Sequence, residues 1–364
     1  MPSALASMSI IRMYAKEKGG WFIMAVCAYE RAMPTRLTRS TETAMKPASF
    51  VPYVVAIRTT RTATANSARS QNVRRSRNRD MRGPYDMWIS RYTLKPKRAL
   101  SAIAREGVRE GALIRVGDGF ADVHPWPELG DEPLDGQLKR LARGETTRLT
   151  QQSLRFAEAD GAARTRGESL FKDLEIPASH WPGADPPAGF DTVKIKNSAD
   201  IPPHVRVRID FNATLRPEEF YAIATGLPRD RIDFVEDPCP YDAATWTRLR
   251  ERTHIRLALD RGTQTDGVDV LVVKPAVQSF PDTQLEVVVT SYMDHAMGQM
   301  AAAWVAATNA ARVSARCGLF THVLFDRDPF FEQIRANGSR LLAGQGTGFG
   351  FDELLEKQPW KKLA

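Results

Sequence analysis

Five successive apolar runs in the second half of the chain each end in a charged residue. Lys196 closes Thr192-Val-Lys-Ile-Lys, Asp210 closes Val205-Arg-Val-Arg-Ile-Asp, and Glu236 closes Ile232-Asp-Phe-Val-Glu. Asp260 closes Ile255-Arg-Leu-Ala-Leu-Asp, and Lys274 closes Val270-Leu-Val-Val-Lys. Residues two apart on a strand share a face, so Lys194 joins Lys196. Three carboxylates from different strands, with no His or Cys among them, make a hard oxygen site suited to Mg²⁺. Such a site suits removal of a proton α to a carboxylate. The enediolate that forms carries two negative charges on oxygen, which a bound Mg²⁺ stabilises. A second cation nearby lowers the pKa of the lysine that must act as base. A single strand-end Asp is most often a solvated charge; Lys, Asp, Glu, Asp and Lys at five consecutive ends form a constellation.

For these side chains to meet, the runs must be parallel strands whose C-terminal ends share one rim, as in a (β/α)₈ barrel. Eight strands are expected: Leu174–Ser179, Thr192–Lys196, Val205–Phe211, Asp233–Glu236, Arg256–Asp260, Val268–Lys274, Leu285–Ser291 and Leu319–Leu324. Pro177 interrupts the first. Most of the others are continuous aliphatic runs, as strands buried on both faces are. Helical spacing fits Pro217–Thr225, Ala243–Arg252 and Gly298–Ala315. The stretches after Lys196 and Asp260 are too short for a crossover helix. The expectation for residues 174–340 is therefore an α/β fold, a (β/α)₈-type barrel with some outer helices shortened. Upstream, Trp88–Leu94, Ala112–Val116 and Phe120–Val123 read as strands, the last two joined by Gly117-Asp-Gly119. Pro133–Ala142 and Arg148–Ala159 read as helices, the first opening after Asp131 as its cap. Residues 87–173 are thus expected to be an α+β capping domain, with residues 341–364 returning to it.

The net charge of +8 would suit a polyanion partner, but its distribution argues otherwise. Residues 1–82 carry 15 Lys and Arg against four acids, a net of +11, which leaves the remainder at −3. From Arg58 to Arg82 the sequence is a Ser, Thr, Asn and Arg mixture that cannot bury a core. Residues 1–86 are expected to be a disordered basic segment, or sequence upstream of a true start at Met87. No nucleic-acid partner is expected. Cys27, Cys239 and Cys317 are far apart and lack metal spacing, which fits a reducing cytoplasm. The best apolar run, Trp21 to Ala28, is too short to span a bilayer, so no membrane partner is expected. Oligomeric state is not legible in the sequence.

Thr192-Val-Lys-Ile-Lys196, Arg208-Ile-Asp-Phe-Asn212, Phe234-Val-Glu-Asp-Pro238, Leu257-Ala-Leu-Asp260 and Val272-Val-Lys-Pro275 resemble the successive barrel motifs of the enolase superfamily. Within it they resemble the muconate-lactonising subgroup; superfamily sites pair a Lys or His base with Mg²⁺. Val289-Thr-Ser-Tyr-Met-Asp-His-Ala-Met-Gly-Gln299 and Ala121-Asp-Val-His-Pro-Trp-Pro-Glu-Leu-Gly-Asp131 are similar to the seventh-strand segment and capping loop of the o-succinylbenzoate synthase family. Gly344-Gln-Gly-Thr-Gly-Phe-Gly-Phe351 is similar to that family's glycine-rich tail. The likeness runs from about Trp88 to the C-terminus.

The resemblance implies that Asp210, Glu236 and Asp260 bind Mg²⁺. It implies a small cyclohexadiene carboxylate substrate, from which Lys196 removes the α-proton and then returns a proton to the departing hydroxyl. That syn elimination of water yields 2-succinylbenzoate, in menaquinone biosynthesis. Lys274 would stabilise the enediolate from the opposite face, and Lys194 would tune Lys196. Arg208 and Asn212 share the face of Asp210 at period two and would contact substrate oxygens, while Thr290 and Ser291 would hold a substrate carboxylate.

A dipeptide epimerase or N-acylamino acid racemase on the same barrel stays open, because two facing lysines suit two-base proton transfer equally well. Epimerases usually carry an acidic motif after the last strand, and Cys317-Gly-Leu-Phe-Thr321 has none. A nucleic-acid-binding protein built on an inactive barrel would not need all five rim charges. Other residues have plainer readings. Asp294 before His295 reads as a helix cap, Asp237 as facing away from Glu236 into an ion pair, and His180 as a satisfied polar contact. Gly344 to Gly350 fits neither the P-loop nor the dinucleotide spacing, and reads as a tight connection.

Overall fold

A computed structural model describes residues 8–17, 20–29, 86–100, 104, 107–197, 200–314 and 316–364. The chain divides into two compact units, Met1–Arg79 and Asp80–Ala364. In the first, β1 (Met8–Glu17) and β2 (Gly20–Tyr29) pair antiparallel, with Met8 opposite Tyr29 and Glu17 opposite Gly20. The rest of the expected basic segment lies outside the described residues.

The second unit opens with an antiparallel sheet. β3 (Met87–Leu94) pairs with β4 (Arg109–Val116), and β4 turns through Gly117 into β5 (Gly119–Val123). Gly119 lets a helix approach: a Cβ there would lie 1.8 Å from the Ala157 carbonyl oxygen. Two helices follow, α1 (Leu134–Ala142) and α2 (Arg148–Thr165). Thr147 caps α2 by accepting from the Thr150 N–H, and Thr150 Oγ1 accepts the Thr147 N–H in return. Pro133, not Asp131, stands at the N-cap of α1. Asp131 instead accepts the Trp126 N–H at 2.9 Å, within the loop that precedes the helix.

Parallel strands come next: β6 (Trp181–Pro182), β7 (Thr192–Lys196) and β8 (Arg206–Asp210), then α3 (Pro217–Gly226), β9 (Ile232–Glu236) and α4 (Ala243–Thr253). β10 (Leu257–Asp260), β11 (Val270–Val273), β12 (Glu286–Val289) and α5 (Ala296–Thr308) complete the series. The seven strands make one curled parallel sheet in chain order. Among the described residues, helices follow only β8, β9 and β12, as the short connections elsewhere dictate.

Two expected strands differ. Leu174–Ser179 forms none, since Pro177 has no N–H to give to a ladder, and the series starts at β6. Leu319–Leu324 instead ends in a 3₁₀ turn over Thr321–Leu324. The lateral pairing moves back to Cys317 and Gly318. The Cys317 N–H donates to Ala178 O at 2.7 Å and the Gly318 N–H to Val289 O at 2.8 Å, so this dipeptide bridges the segment beside β6 to the end of β12. The chain closes through α6 (Pro329–Glu332), the hairpin β13 (Ala336–Asn337) and β14 (Arg340–Leu341), α7 (Asp352–Glu356) and β15 (Lys361–Lys362). β15 adds to the edge of the first sheet beside β3.

Strand alternation sorts the side chains of the parallel sheet. Val193, Ile195, Val207, Ile209, Val235, Leu257, Leu271 and Val287 join the main core, which includes Phe220, Trp246 and Ala303 of the helices. Phe234, Ala258, Val270, Val272 and Val288 form a separate cluster on the other face. Burying each such Val or Leu contributes about 1.5–3 kcal/mol, which fixes the register strongly. Lys194, Lys196, Arg208, Asp210, Glu236 and Asp260 alternate with the first set, so register alone puts them on the second face.

Candidate active site at the strand ends

β7, β8 and β9 pair so that Lys196, Asp210 and Glu236 lie side by side. Glu236 is opposite Ala258 of β10, two residues before Asp260. Lys194 Nζ donates to both carboxylate oxygens of Glu236 at 2.7 Å and lies 3.0 Å from Asp210 Oδ2. Lys196 Nζ is 3.7 Å from that same Asp210 oxygen. Lys274, the first residue beyond β11, pairs with Asp260 Oδ1. Asp210 and Glu236 are each 2% exposed, and charges so buried persist only when paired.

The two β7 lysines are pulled apart in proton affinity. Burial opposes the charge on Lys194, but Asp210, Glu236 and Asp260 together outweigh it and raise its pKa. Burial also opposes the charge on Lys196. There Asp210 compensates only in part, Lys194 and Lys274 add their repulsion, and the pKa falls below the usual lysine value. Burial resists ionisation of Asp210, yet Lys194 and Lys196 bring its pKa down to about 2. Glu236 moves up, through burial and then through its carboxylate neighbours Asp210 and Asp260, with Lys194 opposing.

All three carboxylates thus act on one ammonium, Lys194, and the donor set is oxygen only. That chemistry fits a hard dication such as Mg²⁺. The carboxylates are drawn onto Lys194 and Lys274 rather than onto a common point. Among the described residues no three acidic, His or Cys side chains already form a closed ligand cage.

The other expected site residues separate into two groups. Asn212 stands beside the trio: its N–H and its Nδ2 both donate to Asp210 Oδ1 at 2.9 Å, and its Oδ1 is buried without a hydrogen-bond partner. Thr290 follows β12, and its buried Oγ1 also has no partner. Ser291 Oγ is engaged with Thr321 Oγ1 at 2.6 Å. Arg208 departs from the expectation. It is 1% exposed and lies beneath the rim, donating to Asp233 Oδ2 (2.7 Å) and Arg316 O (2.7 Å), 3.0 Å from His180 Nδ1 and stacked on Phe234. Two residues back along a strand means one layer deeper, and that layer is filled. His180 is accordingly the satisfied polar contact expected of it.

Two further differences concern residues given plainer readings, Asp237 and Asp294. Asp237 does not turn away. Its backbone adopts φ 42, and its Oδ1 accepts the Asp260 N–H at 3.2 Å, a fourth carboxylate beside the trio. Burial first, then Asp260 and Glu236, hold its pKa well above the carboxylate range. The cap of α5 is His295, which accepts from the Met297 N–H, and not Asp294. Tyr292 was missed: its hydroxyl donates to Asp131 Oδ2 at 3.1 Å, tying the loop before α1 to the segment after β12. Arg261, also missed, pairs with Asp260 at 3.3 Å and reaches Leu129 O of the same loop.

Comparison with known proteins bears on most of the chain. Residues 87–163 match the family described as "O-succinylbenzoate synthase, N-terminal domain". The o-succinylbenzoate synthase of Bdellovibrio bacteriovorus is 35% identical, over 75% of this chain and 97% of that protein. Among solved structures, a muconate lactonizing enzyme from Mucobacterium Smegmatis, complexed with muconolactone, is 16% identical. It superposes with a TM-score of 0.60 over 75% of this chain and 99% of its own. A dipeptide epimerase from Enterococcus faecalis, solved with Mg and a dipeptide, is 14% identical and gives 0.57 over 73% of this chain and 98% of its own. At such identities these structures speak for the fold alone. The Bdellovibrio relative is matched across nearly its full length, and the matched N-terminal-domain residues and the strand-end motifs lie within one unit; on that footing the chain belongs to the o-succinylbenzoate synthase family.

Proposed function

We propose that the chain is an o-succinylbenzoate synthase, a lyase that dehydrates 2-succinyl-6-hydroxy-2,4-cyclohexadiene-1-carboxylate to 2-succinylbenzoate for menaquinone biosynthesis. The observation that carries the reading is the buried trio Asp210, Glu236 and Asp260 held between Lys194 and Lys274, with Lys196 beside it. In this reading Cys317–Gly318 is a reduced eighth strand, residues 174–340 are a barrel, and residues 87–173 cap it.

Asp210, Glu236 and Asp260 would hold Mg²⁺, with Asn212 fixing the orientation of Asp210 through its two donors. When bound, the metal supplies positive charge that stabilises the negative charge developing on the substrate carboxylate. Lys196, with its side chain 29% exposed, is the lysine open to a ligand, whereas Lys194 is enclosed by carboxylates. Lys196 takes the α-proton, the carbon–hydroxyl bond breaks on the same face, and the hydroxyl leaves as water with the proton that Lys196 returns. The ring becomes aromatic, so atoms and charge balance without a redox partner. Lys274 contributes positive charge from across the sheet. Thr290 and Ser291 would meet a substrate carboxylate, Thr290 through the oxygen that has no partner among the described residues.

The test is absorbance-monitored aromatisation of the cyclohexadiene carboxylate by the purified chain, run beside deuterium wash-in at the α-carbon of dipeptides and N-acylamino acids in D₂O. Aromatisation is the expected dominant reaction. Rapid wash-in with no aromatisation would instead favour the epimerase or racemase reading.

A further inference from the structure

Away from the lysine rim, four buried ionisable side chains and the half-buried Tyr92 meet where the first sheet joins the connection between β12 and α5. Tyr92, Asp122 and His124 come from the sheet, and Asp294 and His295 lead into the helix. Asp122 accepts the Tyr92 hydroxyl at 2.5 Å and the His295 N–H at 3.1 Å. The Tyr92 hydroxyl also lies 3.0 Å from His124 Nδ1. Asp294 is 2% exposed, and its Oδ1 has no hydrogen-bond partner. A Cβ placed on Gly298, inside the first turn of α5, would lie 2.3 Å from Asp294 Oδ2 and 2.9 Å from Asp122 Oδ2. Both carboxyl groups therefore press on the same glycine.

The charged and titratable groups facing this pair are Tyr92, His124 and His295, with Arg109 acting on His124 and Asp328 on Tyr92. Among the described residues no Lys or Arg forms an ion pair with either carboxyl. Two ionised carboxylates are not buried so close together without a cation. The donors favour Asp122 as the anion: it receives the Tyr92 hydroxyl and the His295 N–H, whereas Asp294 is met only by its own backbone N–H and that of Tyr292, and its Oδ1 receives no donor among the described residues.

We propose that Asp122 and Asp294 carry one negative charge between them, with Asp122 the anion and Asp294 a neutral carboxylic acid. That neutral acid is a positioning residue for the Thr290–Tyr292 segment, which its carboxyl meets at the Tyr292 N–H. The second half rests on the reading of that segment as substrate-facing; the first half does not. Burial acts in the same sense, raising Asp122 to about 7 and Asp294 well above the carboxylate range. Carboxyls that keep their protons to higher pH when folded than when unfolded make the fold lose stability as pH rises. The loss runs from the ordinary carboxylate range through about 7 and beyond.

The test compares full-length, Mg²⁺-loaded wild type with two variants. Asp294→Asn, a neutral isostere, is expected to melt within about 3 °C of wild type at neutral pH and to flatten the decline of Tm toward alkaline pH. Asp122→Asn sets an amide against the His295 N–H and is expected to lower Tm by roughly 5–10 °C. Infrared difference spectroscopy of wild type against Asp294→Asn at neutral pH should show a protonated-carboxyl C=O band that belongs to Asp294, distinct from that of Asp237, which keeps its proton in both proteins. KM of wild type should rise on the alkaline side while that of Asp294→Asn stays flat. Equal damage in the two variants, an Asp294→Asn chain that does not fold, parallel Tm profiles or a missing band would overturn the charge assignment. A band present with identical KM profiles would overturn the positioning role alone. Melting and infrared signals need no substrate, so they stand or fall apart from the functional reading.

Discussion

The Lys194 ammonium sits 2.7 Å from each carboxylate oxygen of Glu236, reaching across β8 from β7 to β9. The middle carboxylate of the trio is thus engaged by a cation from the chain itself. Glu236→Gln keeps the shape and removes the charge. Turnover should fall by about 10³ or more, close to 4 kcal/mol of lost transition-state stabilisation. The variant should also lose the rise in Tm that Mg²⁺ gives wild type, about 2.7 kcal/mol of linkage at 100 times Kd. Thermal shift against Mg²⁺ checks this, and an undiminished shift would remove Glu236 from the metal site.

Lys196 is the more exposed of the β7 lysines and the one whose pKa is lowered. Lys196→Ala should reduce kcat by roughly 10³–10⁴ as the general base is lost, while Tm moves by no more than about 3 °C. Steady-state kinetics with circular dichroism separates the two effects. A variant with near-normal kcat would mean that another group moves the proton.

Thr290 Oγ1 is buried with no partner among the described residues, so removing it costs no hydrogen bond to them. Thr290→Val should leave Tm unchanged or slightly higher and raise KM about tenfold, the loss of one hydrogen bond of about 1.4 kcal/mol to a charged ligand. An unchanged KM would place the substrate carboxylate elsewhere.

Arg208 behaves oppositely. Its guanidinium holds Asp233, the Arg316 carbonyl and His180 in a layer with 1% exposure. Arg208→Met should cost about 2–4 kcal/mol, since the Arg316 carbonyl and His180 lose their partner and Asp233 keeps only the more exposed Arg206 and Arg256, and should leave the KM of the folded fraction unchanged. A selective KM increase at constant Tm would restore the substrate contact expected from sequence.

Strand ends are legible because charge at the close of an aliphatic run is a period-two signal, and β7 through β11 carry it. The short connections after Lys196 and Asp260 were legible from length alone. The closing edge was not: Cys317 and Gly318 pair through only two residues, too few for any pattern, and the apolar run after them was assigned to the strand. Arg208 shows the limit of face arguments, because period two gives direction but not depth. Asp237 escaped because its left-handed backbone breaks the alternation on which its outward placement depended. The pairing of Asp131 with Tyr292, and of Asp122 with the His295 N–H, joins segments more than 150 residues apart, where local sequence carries no signal.

The most direct test of the account is turnover of the cyclohexadiene carboxylate by the full-length chain with Mg²⁺, after EDTA, and after Mg²⁺ is restored. The expected result is formation of 2-succinylbenzoate that EDTA stops and Mg²⁺ recovers, and that Asp210→Asn and Glu236→Gln do not support. Turnover that is indifferent to EDTA, or no 2-succinylbenzoate from a folded, Mg²⁺-loaded chain, would contradict it.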